Sequence, residues 1–507
     1  MRRGFLGPFN RSAAWGTILV WTALAAPVVA ALGVAAPADP IVDRPEKLEF
    51  KDLKYQPPRP DAYRHKLKCG VTAYVVENHE VPTFEVTILV RTGSMYEPVE
   101  KAGLADMTAY LMRNGGVEGM TGKELDERLA FLAADISVRI GDDQGRENLF
   151  CLAKDMDQGL ALLRRVLRTP VFDPPVLDRY RADLLSGLEQ RNASPSDIEA
   201  REWAFLMYGD HPCTIPFRRT ARSIGSITRE DLVAFHQRYF FPGNFILAVS
   251  GDFKTADVLK KLDALLADWP DHELNLPSIP DRIPDPKPGV YIIKKEDVNQ
   301  SRIRVGHLGV KRDIPEQYAL RVMNDILGGG GFTSRITRRV RSDEGLAYNT
   351  GSTFERPVWY PGTFRAWFQT KHATAAFGTR LIVDEIERIR TEPCDEEAIA
   401  TAKAGFIGEM VNPFSSKNST VNTFADDDYT GRPDAYWQDY AKNIEAVTAQ
   451  DVLAVAQKFL HPDRLVYLVI GDPEAVAAGS DKHVERFSDF GEITVRPLRN
   501  PVTLEIE

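Results

Sequence analysis

Cysteine is scarce in this chain and never clustered: Cys69, Cys151, Cys213 and Cys394 are scattered through 507 residues. That spacing excludes a zinc knuckle or a Cys-x-x-Cys dithiol and suits small apolar core residues, with any disulfide pairing left open. Histidine is equally dispersed, nine residues without a ligand-like spacing. His79-Glu80 begins a His-Glu-x-x-His pattern, but Thr83 stands where the second histidine belongs and Pro82 would break the helix. No Gly-x-Ser-x-Gly elbow occurs. Long basic runs are missing too. The formal charge is −9, and the local group Arg335, Arg338, Arg339 and Arg341 has no interleaved aromatic stripe, which argues against nucleic acid as a partner. Beyond the first 38 residues no apolar run is long enough to span a bilayer.

What is present begins with an N-terminal segment unlike the rest. Arg2, Arg3 and Arg11 precede an Ala-rich apolar stretch from Ser12 to Ala36 that closes on Ala36-Pro37-Ala38. This predicts a signal peptide over residues 1–38 and an exported, periplasmic protein, anchored in the membrane only if the signal stays uncleaved. Arg2-Arg3-Gly4-Phe5-Leu6 also resembles a twin-arginine signal.

The remaining chain is built twice. Thr228–Asp252 and Thr448–Asp472 align without a gap at an offset of 220, with eight of 25 positions identical, where chance would give roughly one or two. Each copy reads as a Thr N-cap, an amphipathic helix, a Pro-marked turn and an apolar strand ending in Gly-Asp. Upstream, strand patterns at Phe84–Val90 and Ile303–Val310 precede helical segments at Gly103–Arg113 and Gln317–Leu327. Five prolines between Pro277 and Pro288 mark an extended connector. The expected organisation is therefore an N-terminal domain over 39–269, a linker over 270–289 and a C-terminal domain over 290–507. Helical runs at Glu124–Ala133, Met156–Leu167 and Val176–Gln190 alternate irregularly with short strands such as Asn148–Ala153. The expected fold class is α+β, two homologous halves from a duplication, each an antiparallel or mixed β-sheet packed against helices.

Gly103-Leu104-Ala105-Asp106-Met107-Thr108-Ala109-Tyr110 resembles the start of the zinc helix of the pitrilysin/insulinase metallopeptidases, whose inverted motif is His-x-x-Glu-His with a further Glu ligand about 77 residues on. Here the frame is kept and the chemistry replaced. Asp106 and Tyr110 occupy the two histidine positions, Ala109 that of the general base, and Gly187, 77 residues after Tyr110, that of the distant ligand. Glu189 lies two residues further along, on another face of a helix. A phenol is a poor zinc ligand, and alanine cannot take a proton from water. The plain expectation is a packed helix face with an Asp106–Tyr110 hydrogen bond; a rebuilt metal site at Asp106 is the alternative.

In the second half, Leu327-Gly328-Gly329-Gly330-Gly331-Phe332 leads into a basic helix and then Arg341-Ser342-Asp343-Glu344-Gly345-Leu346-Ala347-Tyr348. The tetraglycine lacks a following Gly-Lys-Ser/Thr and reads as a closely packed turn rather than a phosphate cradle. Gly345 suits a helix C-cap that would turn Tyr348 into a strand. This segment resembles the family's second signature, in which an Arg and a Tyr seven residues apart hold the substrate peptide. The resemblance implies that Arg341 and Tyr348 are substrate-binding residues, through a guanidinium on a peptide carbonyl and a phenol near the oxyanion. A plain alternative is a solvated arginine face with Tyr348 in packing.

Taken together, the resemblance implies a non-catalytic, substrate-binding subunit of a heterodimeric zinc metallopeptidase acting on peptides. No cofactor is expected on this chain and zinc is expected in a partner of the same family that keeps the zinc motif. The alternative is a scaffold or peptide-binding protein without a proteolytic partner.

Overall fold

The computed structural model describes residues 55–506 and, before them, Arg44, Lys47 and Leu48. The expected signal segment, 1–38, lies outside the described residues. Among the described residues no helix is long and apolar enough to cross a membrane.

Both copies of the repeat fold as their sequences dictate. Thr228 and Thr448 each cap a helix, Arg229–Tyr239 and Ala449–Phe459, and in both a capping box closes with the aspartate three residues on. The Thr228 and Thr448 N–H groups donate to Asp231 and Asp451 at 2.8 and 2.9 Å, satisfying donors that a helix start leaves open. Pro242 and Pro462 then begin single turns, followed by the strands Phe245–Gly251 and Val466–Gly471.

Those two strands lie at the heart of two six-stranded mixed sheets. The first comprises β1 (Arg64–Lys66), β2 (Thr72–Glu77), β3 (Thr83–Val90), β4 (Asp135–Ile140), β5 (Gly145–Leu152) and β6 (Phe245–Gly251), in the order β1-β2-β6-β3-β5-β4. The second comprises β7 (Gly289–Lys294), β8 (Gln300–Leu308), β9 (Thr350–Phe354), β10 (Thr363–Lys371), β11 (Val466–Gly471) and β12 (Ile493–Arg496), in the order β12-β7-β11-β8-β10-β9. The pairs β2/β6 and β7/β11 are parallel, with Val249 opposite Val75 and Val469 opposite Ile292. Each repeat strand also runs antiparallel to its other neighbour, β3 or β8. The sheets are thus mixed rather than purely antiparallel, and the halves share a five-strand core topology while their edge strands differ, β1 antiparallel to β2 and β12 parallel to β7.

Every residue of β6 and β11 is buried, which explains their continuous apolar sequences: both sheet faces are covered. One face packs on helices of its own half. In the N-terminal half these include α1 (Leu104–Asn114), α2 (Gly122–Phe131), α3 (Met156–Arg168) and α4 (Pro174–Glu189). The other face is covered by a helix from the opposite half. α5 (Pro195–Tyr208) sets Ile198, Trp203 and Met207 against Tyr291, Ile293, Leu468 and Ile470 of the second sheet. The helix Lys417–Tyr429 sets Val421, Phe424 and Ala425 against Tyr74, Leu89, Ile246 and Ala248 of the first. Glu199 of α5, 1% exposed, accepts from both Arg302 and Arg304 of β8 at 3.0 and 3.1 Å. Asp426 answers from the other side, holding Arg146 of β5 at 2.6 Å. Between Leu266 and Gly289 no helix or strand forms, yet this reciprocal clasp makes residues 55 onward one compact unit.

Candidate functional site

The frame Gly103-Leu104-Ala105 begins α1. Gly103 takes φ +112°, a left-handed conformation natural to glycine, and the N–H groups of Gly103 and Ala105 both donate to the Glu97 carboxylate, at 3.1 and 2.7 Å. Glu97 is 4% exposed. Burial pushes its carboxyl up to about 7 against the opposing pull of those two backbone donors. α1 buries Leu104, Ala105, Met107, Thr108, Leu111 and Met112 in the core, and this leaves Asp106 and Tyr110, one turn apart, toward α4.

Between the two helices the positions that would hold zinc are knitted into a polar and aromatic plug. Asp106 accepts from the Tyr180 hydroxyl at 3.1 Å and from Arg219 at 3.0 Å. Tyr110 lies flat on the Tyr180 ring, centroids 3.6 Å apart with 2° between planes. The expected Asp106–Tyr110 hydrogen bond is therefore corrected: Asp106 takes its hydroxyl from Tyr180 on α4, because stacking commits the Tyr110 ring to its neighbour instead. Burial, reinforced by the Asp106 charge, raises the Tyr180 phenol above its ordinary value. Ala109 is buried in the core. Gly187 sits on α4 two turns past Tyr180, exposed, and a Cβ there would meet nothing within 4 Å. Glu189 is the last residue of that helix, also exposed.

These residues do not fit zinc. A zinc centre of this type needs neutral imidazoles and a carboxylate with free lone pairs; the single carboxylate here is engaged by a phenol and a guanidinium, and the Arg219 cation stands where a dication would have to approach. Among the described residues no group of three His, Cys, Asp or Glu side chains could hold a metal ion. His79, from the broken His-Glu-x-x-His pattern, lies exposed between Asp252 at 2.7 Å and Glu77 at 3.2 Å, and these carboxylates raise its pKa.

The second segment is built differently. The helix Gln317–Asn324 runs into a wide turn, Asp325–Gly329, shorter than the expected Gln317–Leu327. A Cβ on Gly328 would fall 2.4 Å from the Ser352 backbone nitrogen, so the tetraglycine permits close packing on β9. A further wide turn, Arg338–Asp343, ends at Gly345 with φ +62°. There Gly345 N–H donates to Arg341 O at 3.2 Å and Leu346 N–H to Val340 O at 2.9 Å, the C-terminal turn its glycine predicts. Tyr348 does not begin a strand as expected, since β9 starts at Thr350; it projects from the bend before it, 85% exposed.

Arg341 and Tyr348 are brought together. The guanidinium carbon lies 4.5 Å from the Tyr348 ring centroid and 4.3 Å from that of Phe332. Among the described residues no hydrogen bond, ion pair or ring contact joins either residue to the Asp106 cluster. Sequence reading missed Tyr180, Arg219, Glu97 and Phe332. Tyr180 was within reach, being seven residues before Gly187 and so on the same helix face; Arg219, a loop residue 113 positions from Asp106, carries no local signal.

Two family models match the chain: one described as insulinase (peptidase family M16) over residues 73–214 and one as the peptidase M16 inactive domain over residues 226–406. An uncharacterised zinc protease of Rickettsia felis is 22% identical over 338 residues, covering 67% of this chain and 80% of that protein. A Helicobacter pylori protein named non-peptidase homolog YmxG is 22% identical over 379 residues, covering 74% and 86%. Among solved structures, a peptidase M16 inactive domain from Pseudomonas fluorescens superposes with a TM-score of 0.73 at 25% identity, covering 81% of this chain and 98% of that one. A protease from Helicobacter pylori gives a TM-score of 0.72 at 18% identity, covering 82% and 100%.

Proposed function

The chain belongs to the M16 peptidase family, and from that premise we propose that it is the non-catalytic, substrate-binding subunit of an exported heterodimeric zinc peptidase. The observation that carries this reading is an asymmetry between the halves. Of the positions that the resemblance assigns to zinc ligands, Asp106 is bonded by Tyr180 and Arg219 and Tyr110 is stacked on Tyr180, while Arg341 and Tyr348 stand together with Tyr348 open to solvent.

In this reading a partner that retains His-x-x-Glu-His supplies zinc, water activation and the general base. This chain supplies donors. Arg341 grips a peptide carbonyl and the Tyr348 hydroxyl reaches the oxyanion, both in trans. Export follows from the N-terminal segment, and the periplasm is the expected compartment.

A second reading is a peptide-binding scaffold with no proteolytic partner, and the printed name of the Helicobacter pylori relative, a non-peptidase homolog, favours it. The two differ in association. Sedimentation of the mature chain with its zinc-motif relative from the same organism should give a one-to-one complex under the first reading. Two independent species at micromolar concentration would leave the scaffold.

A further inference from the structure

We propose that Phe332, Arg341 and Tyr348 form a carboxylate clamp, so that the peptides this chain selects are those presenting an acidic side chain or a free C-terminal carboxylate. The inference rests on the substrate-binding reading above and deepens it by making a carboxylate, rather than a backbone carbonyl, the acceptor of Arg341 and by adding a third residue.

The Arg341 guanidinium lies 4.3 Å from one ring centroid and 4.5 Å from another, and both rings, Phe332 at 68% and Tyr348 at 85%, are exposed. Both rings therefore leave apolar surface open to a ligand beside the cation. Ring contacts of this kind take no strong N–H hydrogen bond, so the guanidinium edge that pairs bidentately with a carboxylate is left to an outside acceptor. That edge is free here: Arg341 makes no side-chain hydrogen bond or ion pair among the described residues. Arg338 and Arg339, on the same turn, are exposed and likewise make no ion pair. Asp343 and Glu344 follow, exposed, so the turn is only weakly basic overall and selection falls to the one pre-oriented guanidinium. Gly331, with φ +63°, turns the chain just before Phe332. Nothing in the sequence resemblance assigns Phe332.

The test measures binding of fluorescent peptides to the mature chain alone. One peptide carries an internal Glu and an amidated C-terminus, its counterpart carries Gln, and a third, free of acidic side chains, is compared as acid and as amide. Replacing a charged acceptor by a neutral one should weaken binding by about five- to tenfold in at least one pair, and which pair responds tells the side chain from the terminus. Arg341→Ala should abolish the difference. Phe332→Ala should weaken the carboxylate peptide by about two- to fivefold, as loss of an exposed cation–π contact requires; Phe332→Tyr should restore it and Phe332→Leu should not. Equal binding of charged and neutral peptides, discrimination that survives Arg341→Ala, or no peptide binding at all would overturn the clamp. The subunit reading fails separately, if mixing with the zinc-motif relative yields no Arg341-dependent hydrolysis.

Discussion

If the former zinc site is now a structural joint, its two tyrosines should be energetically coupled. Tyr110 on α1 and Tyr180 on α4 are half-buried and stacked at 3.6 Å, a geometry worth about 0.5–1.5 kcal/mol beyond area burial. Removing either ring should cost about 2 kcal/mol, the price of partly burying a large apolar side chain. The second removal should then cost about 1 kcal/mol less than the first. Tyr180→Phe separates the remaining contribution: it keeps the stack, deletes the hydroxyl donor to Asp106 and should cost about 1 kcal/mol, since Arg219 still holds that carboxylate at 3.0 Å. Urea unfolding of the two single alanine variants, the double variant and Tyr180→Phe, analysed at constant slope, gives all four values. Additivity within about 0.3 kcal/mol, or a Tyr180→Phe variant as unstable as Tyr180→Ala, would refute the joint.

The same site should be indifferent to metal: excess zinc should leave the thermal midpoint of the mature chain unchanged, whereas binding to the folded state alone would raise it. Trp203 on α5 is 3% exposed against the second sheet, so Trp203→Ala should cost about 3–5 kcal/mol and lower the unfolding of both sheets in one calorimetric transition. Acid should destabilise the chain through His307, which burial drives from 6.5 down to about 4. Burial holds this ring neutral in the folded state, with its Nε2 accepting from the His461 N–H at 3.1 Å; the Nδ1 contact with Leu308 O at 2.7 Å and the Asp463 charge favour the cation, while His461 and Arg464 disfavour it. Because the unfolded ring takes a proton first, stability present above pH 6.5 is lost as pH falls toward 4, by about 3 kcal/mol in all. His307→Gln should flatten that part of the stability–pH curve, and an unchanged slope would exclude His307 as its source.

Much of the fold was legible because its signals are local. Thr228 and Thr448 with their aspartates, the prolines behind them and the apolar runs to Gly251 and Gly471 each fix a conformation within a few residues, and their recurrence exposes the duplication. The reciprocal clasp was not legible. The period of α5 or of Lys417–Tyr429 says that a face is buried, not that the burying sheet belongs to the other half. At the site, Asp106, Ala109, Tyr110 and Gly187 could be singled out by the resemblance, but the partners around Asp106 and Tyr110 could not. Arg219 reaches Asp106 from a loop far away in sequence, and Phe332 meets Arg341 only because two wide turns and Gly331 bring them together.

Peptide hydrolysis, measured for the mature chain alone, for its zinc-motif relative alone and for the mixture, with wild type and Arg341→Ala, decides whether the two chains share an active site. A split active site predicts activity that appears or rises only in the mixture and falls by about ten- to a hundredfold with Arg341→Ala, the scale of losing one charge-assisted hydrogen bond to the peptide. No gain on mixing, or a gain that Arg341→Ala leaves intact, would contradict it.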